Sequence, residues 1–412
     1  MNCKIMPPLL REDSILSEAD RALLRNLYEE EGDNTWKVVA GDDPLDERRL
    51  KRNSYTYEEL LGQPDKIRET LDKEDAAIRK VAGLLGKKKI RQIYMIGCGD
   101  SVAALRGVRF FLESLLGIPC KEEDALDFAY YNSGAVNEET LVITLSSSGR
   151  TVRVVEALLA ARTRGAQTLA LSNTPDSPLM KAATAGIIIH ASRKGWPTQS
   201  STSAMAAVVR LGLELGKTLG IDPEKVDYYE KEFDKIPELM EQAIHMTEEK
   251  MKGMAERLYS KKMFFFCGGG PFFTCAEYGS AKVKEATPVY AMPVLLEEFH
   301  HYNTLKKGDP LFLIAPPGYS DQRALETIWA GKELGGSIYV LTSDNEEALI
   351  QEADEAVILP EAKECFANFV YAVPLQLFGY YLSVEQEKEA RKKLGGIGAL
   401  AYGLCSCWLP RY

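Results

Sequence analysis

The most informative stretch of this chain is Leu141-Val142-Ile143-Thr144-Leu145-Ser146-Ser147-Ser148-Gly149-Arg150-Thr151. It begins as an apolar run typical of a buried strand, and the residues after it have a helical pattern. A hydroxyl-rich turn at this junction favours anions, because the first N–H groups of a helix lack partners and its dipole adds positive charge. Gly149 allows close approach of a ligand to the backbone. The stretch predicts a cradle for one phosphate monoester; the alternative is that its serines only cap the helix.

Composition narrows the class of protein. The chain has 412 residues, enough for two or three domains, and a net charge of −10, which argues against a general nucleic-acid or membrane-surface binder. It has no apolar stretch long enough to cross a bilayer and no signal-peptide pattern at Met1 to Asp13. Eight thinly spread cysteines predict reduced thiols and a cytoplasmic location. Cys405 and Cys407 are the only close pair, so we expect no metal site.

From Ile90 onward, short apolar runs alternate with helical patterns, which predicts parallel sheets covered by helices on both faces. A stretch rich in Glu and Lys interrupts the pattern, which then returns. We therefore predict an α/β fold of two tandem parallel-sheet sandwiches of flavodoxin-like or Rossmann-like type. The predicted divisions are an N-terminal arm (1–53), a first domain (54–222), a helical connector (223–258), a second domain (259–384) and a C-terminal tail (385–412). The predicted strands are 90–96, 141–145, 168–172, 186–190, 263–267, 288–291, 311–315, 338–342 and 356–359.

The two repeats differ in the turns that follow their strands. The first carries Gly97-Cys98-Gly99-Asp100-Ser101 after its first strand, in addition to the serine-rich turn. The second has Gly268-Gly269-Gly270-Pro271 and Ala315-Pro316-Pro317-Gly318-Tyr319 at these places, where prolines remove N–H donors and the serines are gone. Ligands of open α/β sheets bind outside the carboxyl ends of the strands. Only the first repeat is therefore predicted to bind phosphate.

The order Gly97-Cys98-Gly99-x-Ser101, Leu145-Ser146-x-Ser148-Gly149-x-Thr151 and Ser201-Thr202 resembles the double sugar-isomerase (SIS) domain family. That family includes the isomerase part of glucosamine-6-phosphate synthase and the fructosamine-6-phosphate deglycases. The resemblance covers about residues 55–400 and implies two SIS-type sandwiches that bind a phosphorylated sugar. The residues that it implies for the phosphate and the sugar are Ser101, Ser146, Ser147, Ser148, Thr151 and Ser201, with Gly99 as a further candidate.

The second repeat resembles the family at its catalytic residues. The runs Lys282-Val283-Lys284-Glu285 and Glu298-Phe299-His300-His301 are similar to the family's helix glutamate and loop histidine, and their spacing agrees. The resemblance implies that Glu285 and His301 act as base and acid in a homodimer with shared active sites. Lys282 either pairs with Glu285 or assists substrate oxygens. His300 and Glu298 stay candidates, because this segment departs from the family pattern Gly-Glu-x-x-His-Gly-Pro.

The resemblance implies a cytoplasmic phosphosugar enzyme. The Gly395-Gly396 tail is more similar to the deglycases than to the synthase, whose glutaminase domain we expect to be absent. We therefore expect metal-independent acid–base cleavage of the C–N bond of a 6-phospho-ketosamine (an Amadori product), without a cofactor. One alternative is an aldose–ketose phosphosugar isomerase or an aminosugar-phosphate deaminase. Another is a phosphosugar sensor without catalysis; the short acidic arm disfavours a DNA-binding version of it.

Overall fold

The computed structural model of the chain describes residues 5–32, 41–302 and 305–398. Within these ranges the chain forms two parallel five-stranded sheets flanked by helices, which confirms the predicted α/β fold. No helix among the described residues is both long and apolar enough to span a membrane. Parts of the predicted N-terminal arm and C-terminal tail, including the Cys405–Cys407 pair, lie outside the described residues.

The first unit has one strand that the sequence did not predict. Its strands are β1 (Gln92–Gly97), β2 (Cys120–Asp124), β3 (Thr140–Leu145), β4 (Gln167–Ser172) and β5 (Ala185–Ile188). Its helices are α1 (Glu18–Gly32), α2 (Glu47–Leu61), α3 (Gln63–Leu85), α4 (Asp100–Leu116), the one-turn α5 (Ala125–Asp127), α6 (Val152–Thr163), α7 (Pro178–Ala182) and α8 (Gln199–Thr218). The unpredicted strand is β2, whose charged sequence lacks a strand pattern; it lies at the sheet edge and pairs only with β1.

The second unit follows two connecting helices. These are α9 (Pro223–Asp234) and α10 (Ile236–Leu258). The elements after them are β6 (Met263–Gly268), α11 (Phe273–Ala286), β7 (Tyr290–Leu295), β8 (Pro310–Ile314), α12 (Asp321–Glu333), β9 (Ser337–Thr342), α13 (Glu347–Glu352), β10 (Glu355–Ile358) and α14 (Glu364–Gly398). The predicted boundaries after residues 53 and 384 fall inside α2 and α14, so both helices continue across them. The division into domains stays a prediction.

The strand order places a crevice in the first unit. Its sheet has the order β2-β1-β3-β4-β5, and the second sheet repeats it as β7-β6-β8-β9-β10. After β1 the chain turns to one side of the sheet, and after β3 it turns to the other. The loops that follow these two neighbouring strands therefore separate, and small ligands of such sheets bind in the gap. Both motifs that the sequence singled out in the first repeat lie at this point.

A shared apolar core fixes the two units against each other. Buried aromatic rings from both units meet in it: Phe366 of α14 packs against Phe111 of α4 at 5.0 Å and against Phe233 of α9 at 5.4 Å between ring centroids. A hydrogen bond of 3.2 Å from Thr274 Oγ1 to the Ala103 carbonyl joins α11 directly to α4. As a result, α11 of the second unit lies beside the β1 loop of the first.

Candidate active site

A cavity of about 280 Å³ lies at the crevice of the first unit, beside α11. Its wall contains polar and apolar surface in nearly equal parts, and both units contribute to it. The lining residues are Cys98, Gly99, Asp100, Ser101, Leu145, Ser147, Asn173, Arg193, Pro197, Ser200, Ser201 and Glu285.

Tertiary structure brings several predicted site residues together in this cavity. Gly99 and Ser101 come from the β1 loop, Ser147 from the β3 loop, Ser201 from the start of α8, and Glu285 from α11. Sequence reasoning missed three polar lining residues, which are Asn173, Arg193 and Ser200. Asn173 and Arg193 lie in the loops after β4 and β5, where no motif marks them. Ser200 is adjacent to the predicted Ser201, so the Gln199-Ser200-Ser201-Thr202 run was the only available signal.

Hydrogen bonds within the β3 loop define its shape. The hydroxyls of Ser146 and Thr151 are 2.9 Å apart, and the Gly149 N–H donates to Ser146 Oγ at 3.1 Å. The Arg150 N–H donates to Ser148 Oγ at 3.2 Å. Thr151 is the residue before α6, but its side chain makes no capping hydrogen bond to that helix. The geometry therefore does not match the alternative in which these hydroxyls serve only as a helix cap.

Gly149 is required by the geometry of the same loop. Its φ of 61° lies in the left-handed region, and a Cβ atom there would be 2.0 Å from Ser177 Oγ. Its carbonyl accepts a hydrogen bond of 3.0 Å from the Leu179 N–H, which ties the loop to α7. The neighbouring Arg150 forms an ion pair with Glu30 of α1. The Arg150 guanidinium is therefore paired with a carboxylate that does not line the cavity.

A buried lysine joins two carboxylates at the boundary of the two units. Lys282 Nζ lies 2.6 Å from Asp100 Oδ2 and 2.6 Å from Glu285 Oε2, and the lysine side chain is only 3 % exposed. The pair with Glu285, three residues along α11, is one of the two roles predicted for Lys282. The pair between Lys282 and Asp100 joins residues that are 182 positions apart, and it was not predicted from the sequence. Among the described residues, no group of three His, Cys, Asp or Glu side chains is arranged to bind a metal ion.

The cluster of Lys282, Asp100 and Glu285 raises the pKa of both Glu285 and Lys282. Burial raises the pKa of Glu285 above its ordinary value, and the negative charge of Asp100 adds to the rise, while Lys282 opposes it. Burial by itself lowers the pKa of Lys282, but the two carboxylates outweigh that effect and the net pKa is raised. Lys282 therefore remains a cation, and Glu285 is a carboxylate with increased affinity for a proton. These are properties suited to a general base.

The predicted histidines lie elsewhere in the same chain. His301 is 61 % exposed, and its Nε2 is 3.2 Å from Glu297 Oε1. His300 Nε2 is 2.9 Å from Thr327 Oγ1, and burial lowers the pKa of this imidazole. Glu298 lines a separate, largely apolar cavity in the second unit. Within one chain, none of these three side chains lines the cavity that contains Glu285. The role of His301 across a dimer interface stays a prediction.

These features define a protein with two tandem doubly wound α/β units and a hydroxyl-lined cavity at the first strand-order switch. The model of the SIS domain family matches residues 87–212 and 257–386. The chain belongs to the SIS domain family, which confirms the resemblance found in the sequence.

Curated relatives and solved structures agree with this assignment. The chain is 32% identical over 338 residues to glutamine–fructose-6-phosphate aminotransferase [isomerizing] of Thermococcus kodakarensis, covering 80% of this chain and 55% of the relative. It is 30% identical over 337 residues to the protein of that name in Methanothermobacter thermautotrophicus, covering 81% and 55%. The chain thus spans about half the length of the curated relatives it matches.

Among solved structures, the C-terminal domain of glucosamine-fructose-6-phosphate aminotransferase from Francisella tularensis superposes with a TM-score of 0.73 at 20% identity, covering 81% of this chain and 96% of that one. Glucosamine-6-phosphate deaminase from Thermotoga maritima superposes with a TM-score of 0.63 at 18% identity, covering 80% and 94%. At these identities the structural similarity establishes the fold alone.

Proposed function

We propose that this chain cleaves the C–N bond of a 6-phospho-ketosamine and releases an aldose 6-phosphate and a free amine. The position of Glu285 carries the proposal, because this carboxyl with a raised pKa lines the same cavity as the hydroxyl-rich loops after β1 and β3. In this proposal the phosphate binds at the β3 loop, which contributes Ser147 to the cavity wall and leads into the start of α6. The proposed phosphate and sugar contacts are Ser101, Ser146, Ser147, Ser148, Thr151 and Ser201.

The chemistry requires a base, an acid and water. In the substrate, C1 carries the amine and lies next to the carbonyl carbon C2. Glu285 removes a proton from C1 while the acid protonates the C2 oxygen, which gives a 1,2-enaminol; Glu285 then returns its proton to C2, which leaves a protonated imine between C1 and nitrogen. Water adds to C1, and the nitrogen takes up a proton and leaves as the amine. Lys282, whose ammonium is 2.6 Å from the Glu285 carboxylate, positions the base.

The acid in this proposal is His301 from a second copy of the chain. His301 is exposed and follows β7, which is the edge strand of the second sheet. The exposed side chains of this edge include Tyr290, Met292 and Leu295, and such an apolar strip on an edge strand favours association. In this proposal the homodimer forms through this edge and buries the strip, and His301 acts at the partner's cavity. The cytoplasmic location expected from the sequence likewise stays a prediction.

Aldose–ketose isomerisation is the second candidate. It is favoured by the two archaeal relatives, at 32% and 30% identity, whose names include isomerisation. Isomerisation uses the same transfer of a proton between C1 and C2 but breaks no C–N bond. The residues of the cavity serve both reactions, so the products have to distinguish them.

The proposal is tested by product analysis. The purified chain is incubated with the 6-phosphate of fructosyl-glycine, and the amine and the sugar phosphate are both quantified. We expect equal amounts of glycine and glucose 6-phosphate, and none with the Glu285→Gln variant. Interconversion of fructose 6-phosphate and glucose 6-phosphate without amine release would favour the isomerase. Binding of these compounds without turnover of any would favour a sensor.

The shared active site predicts complementation between two inactive variants. In a heterodimer of Glu285→Gln and His301→Ala chains, one of the two sites combines an intact glutamate with an intact histidine. Random mixing makes half of the dimers mixed, so we expect about one quarter of wild-type activity to return. Activity is measured after unfolding and refolding the mixture, with heterodimers verified by two affinity tags. Verified heterodimers without activity would indicate that each site lies within one chain.

A further inference from the structure

Arg193 lies on the wall of the candidate cavity, and its charge is not paired within the part of the chain that the structure describes. It belongs to the loop between β5 and α8, and its side chain makes no hydrogen bond or ion pair with any described residue. An exposed arginine is often only a solvated surface group. Two further features of this loop distinguish Arg193 from such a group.

The first feature is the rigid backbone on both sides of Arg193. The Glu59 carboxylate of α2 accepts hydrogen bonds from the Lys194 N–H at 2.8 Å and the Gly195 N–H at 3.0 Å. On the other side, Asn173 Nδ2 donates to the Ala191 carbonyl at 2.6 Å. These bonds hold the backbone on both sides of Arg193, so its side chain projects from a fixed point beside the cavity. A fixed backbone reduces the entropy lost when a ligand binds.

The second feature is another arginine beside the first. Arg52 of α2 stacks on the Trp196 ring at 4.1 Å and donates to the Gly195 carbonyl at 2.7 Å, while its buried Nε finds no hydrogen-bond partner among the described residues. Burial lowers the pKa of Arg52, and the positive charge of Arg193 lowers it further; Glu285 and Asp100 act in the opposite direction. Arg52 thus contacts Gly195 and Trp196, close to Arg193 in the chain, and an anionic ligand group at Arg193 would relieve the repulsion between the two positive charges.

We propose that Arg193 binds a carboxylate on the amine part of the substrate and so selects phosphoketosamines derived from amino acids. This inference rests on the proposed function, which places the C–N bond at Glu285. The proposed function assigns the phosphate to the β3 loop, whereas Arg193 is a further cation in the wall of the cavity that Glu285 also lines. A planar guanidinium pairs with a carboxylate through two parallel hydrogen bonds, which a lysine does not reproduce.

The test compares two ligands that differ only in this carboxylate. They are the 6-phosphates of fructosyl-glycine and fructosyl-methylamine, and their affinities are measured by calorimetry in an inactive Glu285→Gln background. Adding Arg193→Gln is expected to weaken binding of the glycine adduct about 10- to 100-fold, as for loss of a hydrogen bond to a charged group. Binding of the methylamine adduct should change less than about threefold. Lys194→Gln, in which the lost ammonium lies over the Tyr55 ring at 5.7 Å, is the matched control and should change neither.

Three other outcomes would overturn the inference. Equal weakening of both adducts would assign Arg193 to the phosphate. No weakening of either would make it a solvated surface residue. If Lys194→Gln weakened binding of the glycine adduct as much as Arg193→Gln does, the effect would come from the overall positive charge of the loop and not from Arg193. Because affinity is measured without turnover, these results differ from failure of the proposed function, in which the wild type binds the adducts but releases no amine.

Discussion

Replacement of Glu285 with glutamine is expected to lower kcat about 1000-fold, since general base catalysis contributes factors of this size. The amide keeps the shape of the side chain but cannot accept the C1 proton. Affinity for glucose 6-phosphate should change little, because the phosphate is bound by the β3 loop rather than by α11. Steady-state amine release and calorimetric titration of the sugar phosphate measure the two quantities separately.

Glu277→Gln is the matched control for this change. Glu277 lies on the same helix and at the same boundary between units, but it pairs with Arg106 and does not line the cavity. Its variant should retain kcat within a small factor. If the Glu285 variant kept more than a tenth of wild-type kcat, or if both variants lost activity equally, Glu285 would not be the base.

Replacement of Lys282 with methionine is expected to lower the free energy of unfolding by about 3 kcal/mol at pH 8, at the low end for breaking a buried ion pair. The substitution leaves the Asp100 and Glu285 carboxylates facing each other without a cation. Their side chains are 14 % and 28 % exposed, and this contact with water limits the loss. Urea unfolding of both proteins measures the difference.

The loss should shrink as the pH falls. The pKa of Glu285 is already raised above its ordinary value of 4.5, and removal of Lys282 raises it further. A carboxyl whose folded-state pKa is raised destabilises the fold as the pH rises through that pKa, and it stops doing so below its unfolded value. The deficit at pH 5 should therefore be smaller than at pH 8. Lys284→Met, on an exposed position of the same helix, is the control and should cost under about 0.5 kcal/mol. Equal deficits for the two variants, or no change with pH, would contradict the assigned cluster.

Local sequence patterns were sufficient for most of the fold. Buried strands such as β3 and β6 are short apolar runs bounded by glycine or serine turns. The apolar run and the turn are both properties of adjacent residues, so they can be recognised in the sequence. The tandem repeat followed from the return of this pattern. The edge strand β2 was missed, because its charged residues have only β1 as a sheet partner and no apolar pattern is required there.

The candidate site was predictable where a motif marks it. The serine-rich β3 loop and the helix glutamate were identified by residue type and spacing, which are properties of short stretches of chain. Arg193 and Asn173 were not identified, because neither belongs to a recognisable pattern and only the folding of two loops brings them to the cavity. The histidines were identified as a pair, but their distance from Glu285 within one chain depends on the placement of the β7 edge.

The alternation of strands and helices, the doubling of the unit and the hydroxyl-rich loop follow from local sequence, since each depends on residues a few positions apart. The pairing of Lys282 with Asp100 across 182 residues, and the position of Arg193 at the cavity wall, required the folded structure. The physical reason is that charge pairing and burial depend on which surfaces pack together. That packing is determined by the shared core between the two units, which no single stretch of sequence encodes.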